Sequence, residues 1–293
     1  MEYYSANKYI KDRFGQKLYK ISIDGGFTCP NRDGTIDTRA CIFCSTYGSG
    51  DYAQDRRLSI TDQIEEGKKL VLKKSNKDDP KFIAYFQAFT NTYGPVDLLE
   101  EVYMEAINHP DIVALSIGTR PDCLDEDVIA LLERLNKIKP IWVELGLQSI
   151  HKSTSDYIRR GYELEVYDKA CEDLSRIGIE QIITHVIIGL PYESKDMILE
   201  TVDYVINSKA NGIKLQLLHV LKNTDLAKEY KAGRFSILTM EEYTDIVVDA
   251  IKLVPNDMVI HRVTGDGNRQ ELIAPLWSLD KWKVLNTINA KLK

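Results

Sequence analysis

Six short apolar runs recur along the 293-residue chain, with residues at helical spacing between them, and this alternation limits the available folds more than any other feature. The runs are Lys17 to Asp24, Lys81 to Gln87, Ile112 to Ile117, Ile141 to Leu147, Ile182 to Ile188 and Ile213 to Val220. Between them lie stripes such as Ile60, Ile64, Gly67 and Val71, or Val128, Leu131, Leu132 and Leu135. Apolar strands separated by amphipathic helices build a parallel sheet buried on both faces, and right-handed crossovers curl it. The pattern does not separate an open doubly wound sheet from a barrel. It offers no Gly-x-Gly-x-x-Gly turn that would favour a dinucleotide. A last helix over Tyr243 to Val254 follows, then an extended piece from Met258 to Val263 and a tail with Trp277 and Trp282, expected to close or flank the sheet. Residues 1–15 read as a short helical or irregular lead-in.

Three of the five cysteines, Cys29, Cys41 and Cys44, share one loop, just after the first strand and its Gly25-Gly26 stop. Three thiolates from one loop can grip a single inorganic centre. Iron–sulfur clusters are normally held by four thiolates, so three would leave one iron open to an external ligand. A zinc site completed by Cys123, Cys171 or a histidine reads almost as well, because CxxC pairs are common in zinc sites. Phe43 supplies an apolar face beside either centre.

A net charge of −6 argues against broad adhesion to nucleic acid. No apolar run reaches the roughly 18 residues of a membrane span, and the polar start lacks the order of a signal peptide. The expectation is a cytoplasmic chain whose reduced thiols suit a metal or cluster. It is read as one unit over residues 1–293, with a core at about 16–222 and an extension over 223–293.

In a parallel barrel the polar residues just past each strand face one cavity. Arg120 offers a planar fork for a carboxylate, with an ion pair to Asp122 as the equal alternative. Glu144, Gly146 and Gln148 point to one face, and a carboxylate inside a barrel is expensive unless paired. His185 reads as a substrate contact, a proton carrier or a satisfied core histidine; Gln216 alternates inward, whereas His219 faces the other way. Thr264 and Asp266 lie in a polar, glycine-rich loop that could cap the mouth, and Tyr93 follows the second strand. No GxSxG elbow and no phosphate-binding loop competes for the chemistry.

The segments CPNRDGT and CxFC, then YFQAFTNTY, GTRPDCL, ELGLQS and a closing APLW, resemble the YhcC-like branch of the radical S-adenosylmethionine (SAM) superfamily over essentially the whole chain. The gap between Cys29 and Cys41 is longer than the superfamily's usual spacing but characteristic of this branch. The resemblance implies an α/β fold, a partial (βα)6 TIM-type barrel with a C-terminal extension. It implies a 4Fe–4S cluster on Cys29, Cys41 and Cys44 with SAM on its open iron. It also implies SAM contacts from Phe43, Gln87, Thr90, Glu144, Gln148, Ser149, Arg160, Ile188 and Gly189, with Arg160 on the SAM carboxylate.

The activity implied is one-electron cleavage of SAM to a 5′-deoxyadenosyl radical that takes hydrogen from a small molecule, with flavodoxin or ferredoxin as electron donor. Some proteins of similar sequence act as queuine lyases that release preQ1. Tyr93, Arg120, His185, Gln216, Thr264 and Asp266 are the residues expected to meet such a substrate. A tRNA-modifying radical enzyme and a zinc-stapled binding protein are the alternatives.

Overall fold

The computed structural model describes residues 3–48, 50, 52–73, 79–265 and 267–293. Helix α1 (Ala6–Phe14) leads into β1 (Leu18–Ile23), after which α2 (Ile60–Leu72), β2 (Lys81–Phe86), α3 (Val96–Asn108), β3 (Ile112–Thr119), α4 (Glu126–Asn136) and β4 (Ile141–Gln148) alternate. Helices α5 (Lys152–Tyr157) and α6 (Leu164–Arg176) precede β5 (Gln181–Ile188), and α7 (Lys195–Ile206) connects it to β6 (Gly212–Leu217). The remainder comprises β7 (Val220–Leu221), α8 (Asp225–Lys231), α9 (Met240–Leu253), β8 (Val259–Arg262), β9 (Leu272–Ala274) and α10 (Lys281–Leu292).

The main sheet has seven strands in the order β1-β2-β3-β4-β5-β6-β8, every neighbour parallel. Strand order follows chain order without reversal, so the sheet lacks the switch point of a doubly wound fold. It curls instead. Lys214 Nζ on β6 lies 3.3 Å from the Tyr85 hydroxyl on β2, and Lys20 Nζ on β1 lies 2.7 Å from Glu144 Oε1 on β4. This is the partial TIM-type barrel, open between β1 and β8. The extended piece after Met258 does more than flank it, since β8 pairs with β6 as a seventh strand. Its far edge is covered where Ile260 N donates to Tyr4 O at 2.9 Å, which removes an exposed strand edge.

Strand alternation sorts the side chains into two cores. On the convex face Phe82, Phe86, Val143, Leu145, Val186 and Ile188 pack beneath Leu99, Tyr103, Leu131, Tyr167 and Val202 of the surrounding helices. Inside, Leu18, Ile83, Ala114, Trp142 and Ile183 form an apolar floor closed by Ile10 of α1. The lead-in is thus a plug, with the Trp142 ring 5.7 Å from Tyr9 and 6.4 Å from Phe14. Several helices start where short polar side chains accept orphan amide protons, Ser59 from Asp62 N and Ser194 from Met197 N, while Thr239 and Glu242 form a capping box on α9. In the extension β7 pairs antiparallel with β9. Trp277 packs 5.5 Å from Tyr243 and donates to Leu238 O, whereas Trp282 stays exposed. Among the described residues no helix is long and apolar enough to cross a membrane.

Gly67 lets α2 approach β1, because a Cβ there would stand 2.3 Å from Ile21 Cγ2. Helix propensity alone would make Gly67→Ala stabilising by roughly 1 kcal/mol. Overpacking a buried contact costs about 1–3 kcal/mol and should win, so the thermal midpoint of Gly67→Ala should fall. A rise in that midpoint would show that the helix and strand are not in the contact described.

Candidate active site in the barrel mouth

The cysteine loop leaves the carboxyl end of β1 and folds over the barrel mouth through its own backbone turns. Cys29 O accepts from Arg32 N at 2.8 Å, Asn31 O from Ala40 N at 2.7 Å and Cys41 O from Cys44 N at 3.0 Å. Ala40 takes a positive φ of 65° to deliver Cys41. Cys29, Cys41 and Cys44 are free thiols that line a cavity of about 710 Å³ together with Phe43. Burial pushes the Cys41 thiol up to about 11, with Cys44 adding to it, so a bound cation would have to supply the charge that ionises it. Among the described residues the three sulfurs do not all lie within 4.8 Å of one another, whereas one tetrahedral zinc with bonds of about 2.3 Å would hold them roughly 3.8 Å apart. Cys171 is buried on the core-facing side of α6 and Cys123 lies outside the cavity wall, both raised to about 12 by burial.

One layer below the rim, every strand from β1 to β6 sends a polar side chain into the barrel. Glu144 Oε1 accepts from Lys20 and from Ser116, each at 2.7 Å. Its Oε2 accepts from the Tyr85 hydroxyl at 2.8 Å and from Lys214, with His185 Nε2 at 2.8 Å. Burial would raise the Glu144 carboxyl, but the charges of Lys20 and Lys214 outweigh it and hold the group well below its usual range. Burial lowers His185 to about 4, with Lys214 adding to the effect, and pushes Lys214 down to about 7 against the pull of Glu144.

Of the expected SAM contacts, Phe43, Gln87, Thr90, Glu144, Gln148 and Arg160 line the cavity, while Ser149, Ile188 and Gly189 do not. Ile188 points into the convex core and the Ser149 hydroxyl donates to Glu193. Gln148 has a φ of 64° at a register shift in β4, and its amide turns back to donate to the carbonyls of Gly146 and Leu147. Arg160 is buried against the Tyr162 ring, and its guanidinium donates to the carbonyls of Leu147, Ser149 and Tyr162. Of the expected substrate contacts, Arg120, His185 and Gln216 line the cavity. Arg120 makes the fork with Asp122, at 2.9 and 2.7 Å. Tyr93 bonds Thr35 of the cysteine loop and does not line the cavity, Thr264 is buried outside it, and Asp266 lies outside the described residues.

Lys20, Tyr85 and Lys214 were missed, although each stands two residues before a position in Ser22, Gln87 or Gln216 of the same inward face, so alternation could have found them. His219 also lines the cavity, against the strand-period expectation, because β6 ends at Leu217 and the chain turns before it. Nothing in its sequence neighbourhood signals that turn. Arg32, Tyr52 and Asn268 join the wall from loops.

The low His185 value has a consequence for stability. An unfolded histidine titrates near ~6.5, so as pH falls the unfolded chain takes up a proton that the folded chain refuses until about 4. Stability present above pH 6.5 is therefore lost progressively toward pH 4. Glu144, held low, adds a loss of the same sign in acid. Thermal midpoints measured from pH 7 to 4 should fall less steeply in His185→Gln than in the parent, and parallel curves would contradict the burial argument.

Residues 31–205 match the model of the Radical SAM superfamily and residues 210–293 that of the Radical_SAM C-terminal domain. The chain is 42% identical over 291 residues to the protein YtqA of Bacillus subtilis, covering 99% of this chain and 89% of that one. It is 37% identical over 271 residues to Protein YhcC of Escherichia coli, covering 92% and 85%. Among solved structures the archaeal Elp3 of Methanocaldococcus infernus superposes with a TM-score of 0.69 at 18% identity, over 94% of this chain and 64% of that chain, and so shares the fold. A cavity walled by three cysteines at the mouth of a partial barrel, a family model over most of the barrel and relatives matched almost end to end agree: the chain belongs to the YhcC-like branch of the radical SAM superfamily, whose enzymes use a 4Fe–4S cluster and SAM.

Proposed function

We propose that Cys29, Cys41 and Cys44 are the cluster ligands, that SAM lies along the rim beside Phe43, Gln87, Thr90 and Gln148, and that the barrel interior takes a small polar molecule. The observation that carries this reading is the cavity itself. Its volume of about 710 Å³ runs from the three cysteines past the polar layer around Glu144 and Lys214 to Ala6 and Ile10 of α1, within the range of small-molecule sites. When bound there, the cluster and SAM supply an electron and a hydrogen-abstracting radical. The chain's own residues do the rest. The plug of α1 and the convex core exclude water from below and from the sides, which protects a radical from side reactions. Both oxygens of Glu144 are taken by own-chain donors, so its part is to hold Lys20, Lys214 and His185 in place. A substrate would meet donors and the amide of Gln216 on this wall.

For the substrate we propose queuine, with cleavage between its aminomethyl nitrogen and the cyclopentenediol ring to release preQ1. A flat heterocycle with donors and acceptors along one edge suits Gln216, His185 and Lys214, and the diol suits a cation such as Arg120. An external low-potential donor of the flavodoxin or ferredoxin type would provide the electron.

Two measurements test the parts separately. Iron and sulfide assayed in single variants should be lost in Cys29→Ala, Cys41→Ala and Cys44→Ala and retained in Cys123→Ala and Cys171→Ala. Reconstituted enzyme given SAM, dithionite and queuine should form preQ1 and 5′-deoxyadenosine together by mass spectrometry. If 5′-deoxyadenosine forms without preQ1 and a tRNA substrate is modified instead, the queuine reading gives way to the tRNA one.

A further inference from the structure

Two adjacent loop residues donate hydrogen bonds to two different cysteine sulfurs. Asn31 Nδ2 lies 3.4 Å from Cys41 Sγ, and Arg32 Nη2 lies 3.1 Å from Cys44 Sγ. Both donors are held from a second side. Asn31 is fully buried and its Nδ2 also donates to Arg159 O at 2.7 Å, which fastens the loop to the turn after α5. Arg32 Nη2 also donates to the carbonyl of Ser45, and its guanidinium lies over the Phe89 ring at 5.4 Å. Held in this way, neither side chain can leave its sulfur without breaking a second contact.

We propose that Asn31 and Arg32 set the reduction potential of the cluster, with Arg32 the stronger because it brings charge as well as a hydrogen bond. The inference rests on the assignment of Cys29, Cys41 and Cys44 as ligands. Reduction moves one electron from an external low-potential donor into the cluster. No bond is made or broken, so the free energy changes only through the charge added. Hydrogen bonds to cluster sulfurs and nearby positive charge stabilise that charge and raise the potential. A half-buried cation is screened less than a surface one. The guanidinium of Arg120, in the same cavity wall, is offset by its fork on Asp122, whereas the hydrogen bonds of Arg32 go to a sulfur and a carbonyl. The pair occupies the Asn-Arg positions of the CPNRDGT segment, and neither residue of the pair ligates or lies in a strand.

The experiment is a potentiometric titration of the reconstituted full chain, followed by electron paramagnetic resonance, with iron and sulfide assayed first. Arg32→Gln should keep its iron and shift the one-electron equilibrium at least tenfold toward the oxidised state, about 59 mV more negative. Arg32→Lys, which keeps the charge but loses the planar donor, should shift in the same direction by less. Arg32→Gln with full iron and the parent potential would overturn the proposal. Loss of iron from both Arg32 variants would overturn it as well, by making the residue a structural clamp. Full iron in Cys41→Ala would instead overturn the ligand assignment, and the tuning role with it.

Discussion

The carboxylate of Glu144 joins more of this molecule than any other group. From the middle of β4 it accepts hydrogen bonds from β1, β2, β3 and β6 and pairs with His185 of β5. A flat sheet could not bring those strands to one point, so the contact and the curl require each other. The arrangement is costly in principle, because two lysines and a carboxylate leave water, and such a charge is tolerated only when its partners and hydrogen bonds are complete. For the carboxylate they are complete, with five partners on its two oxygens. Truncating any one of the partners would leave a buried charge under-satisfied, which is worse than never having built the layer.

That layer also divides the barrel interior by chemistry. Below it the cavity wall turns apolar, where Ile10 and Leu18 pack with Trp142 against α1, and above it the cavity opens to the cysteine loop. The floor is packed side chain against side chain and the mouth is walled by loops. A radical enzyme needs both, since a reactive species must be held away from solvent while cofactor and substrate enter from the open end.

Only the end of the cysteine loop is held by hydrophobic packing, where Ile42 and Phe43 join Ile158, Ile187 and Leu226. Few of its residues are apolar, and it keeps its shape through backbone turns, the buried amide of Asn31 and the guanidinium of Arg32. The polar contacts that order the loop are the ones that reach the sulfurs, so the electrostatic environment of the thiolates follows from how the loop is folded.

Much of this was determined by the sequence alone. Periodicity is local, so the six βα units, the helices and the inward parity of Glu144, Gln148, His185 and Gln216 could be read from the order of residues, and so could the clustering of three thiols in one loop. What only the tertiary structure decided lies where distant segments meet. The sheet's seventh strand needed a pairing of β8 with β6, and the plug role of α1 needed the barrel it closes. The partners of Glu144 come from five other strands, so no window of sequence contains them. Arg160 illustrates the limit: the chain announces a guanidinium beside a glycine turn, but only the fold shows that it is committed to three carbonyls. His219 fails for the complementary reason, since alternation holds only as long as the strand does, and where a strand stops is set by the contacts of its neighbours rather than by its own residues.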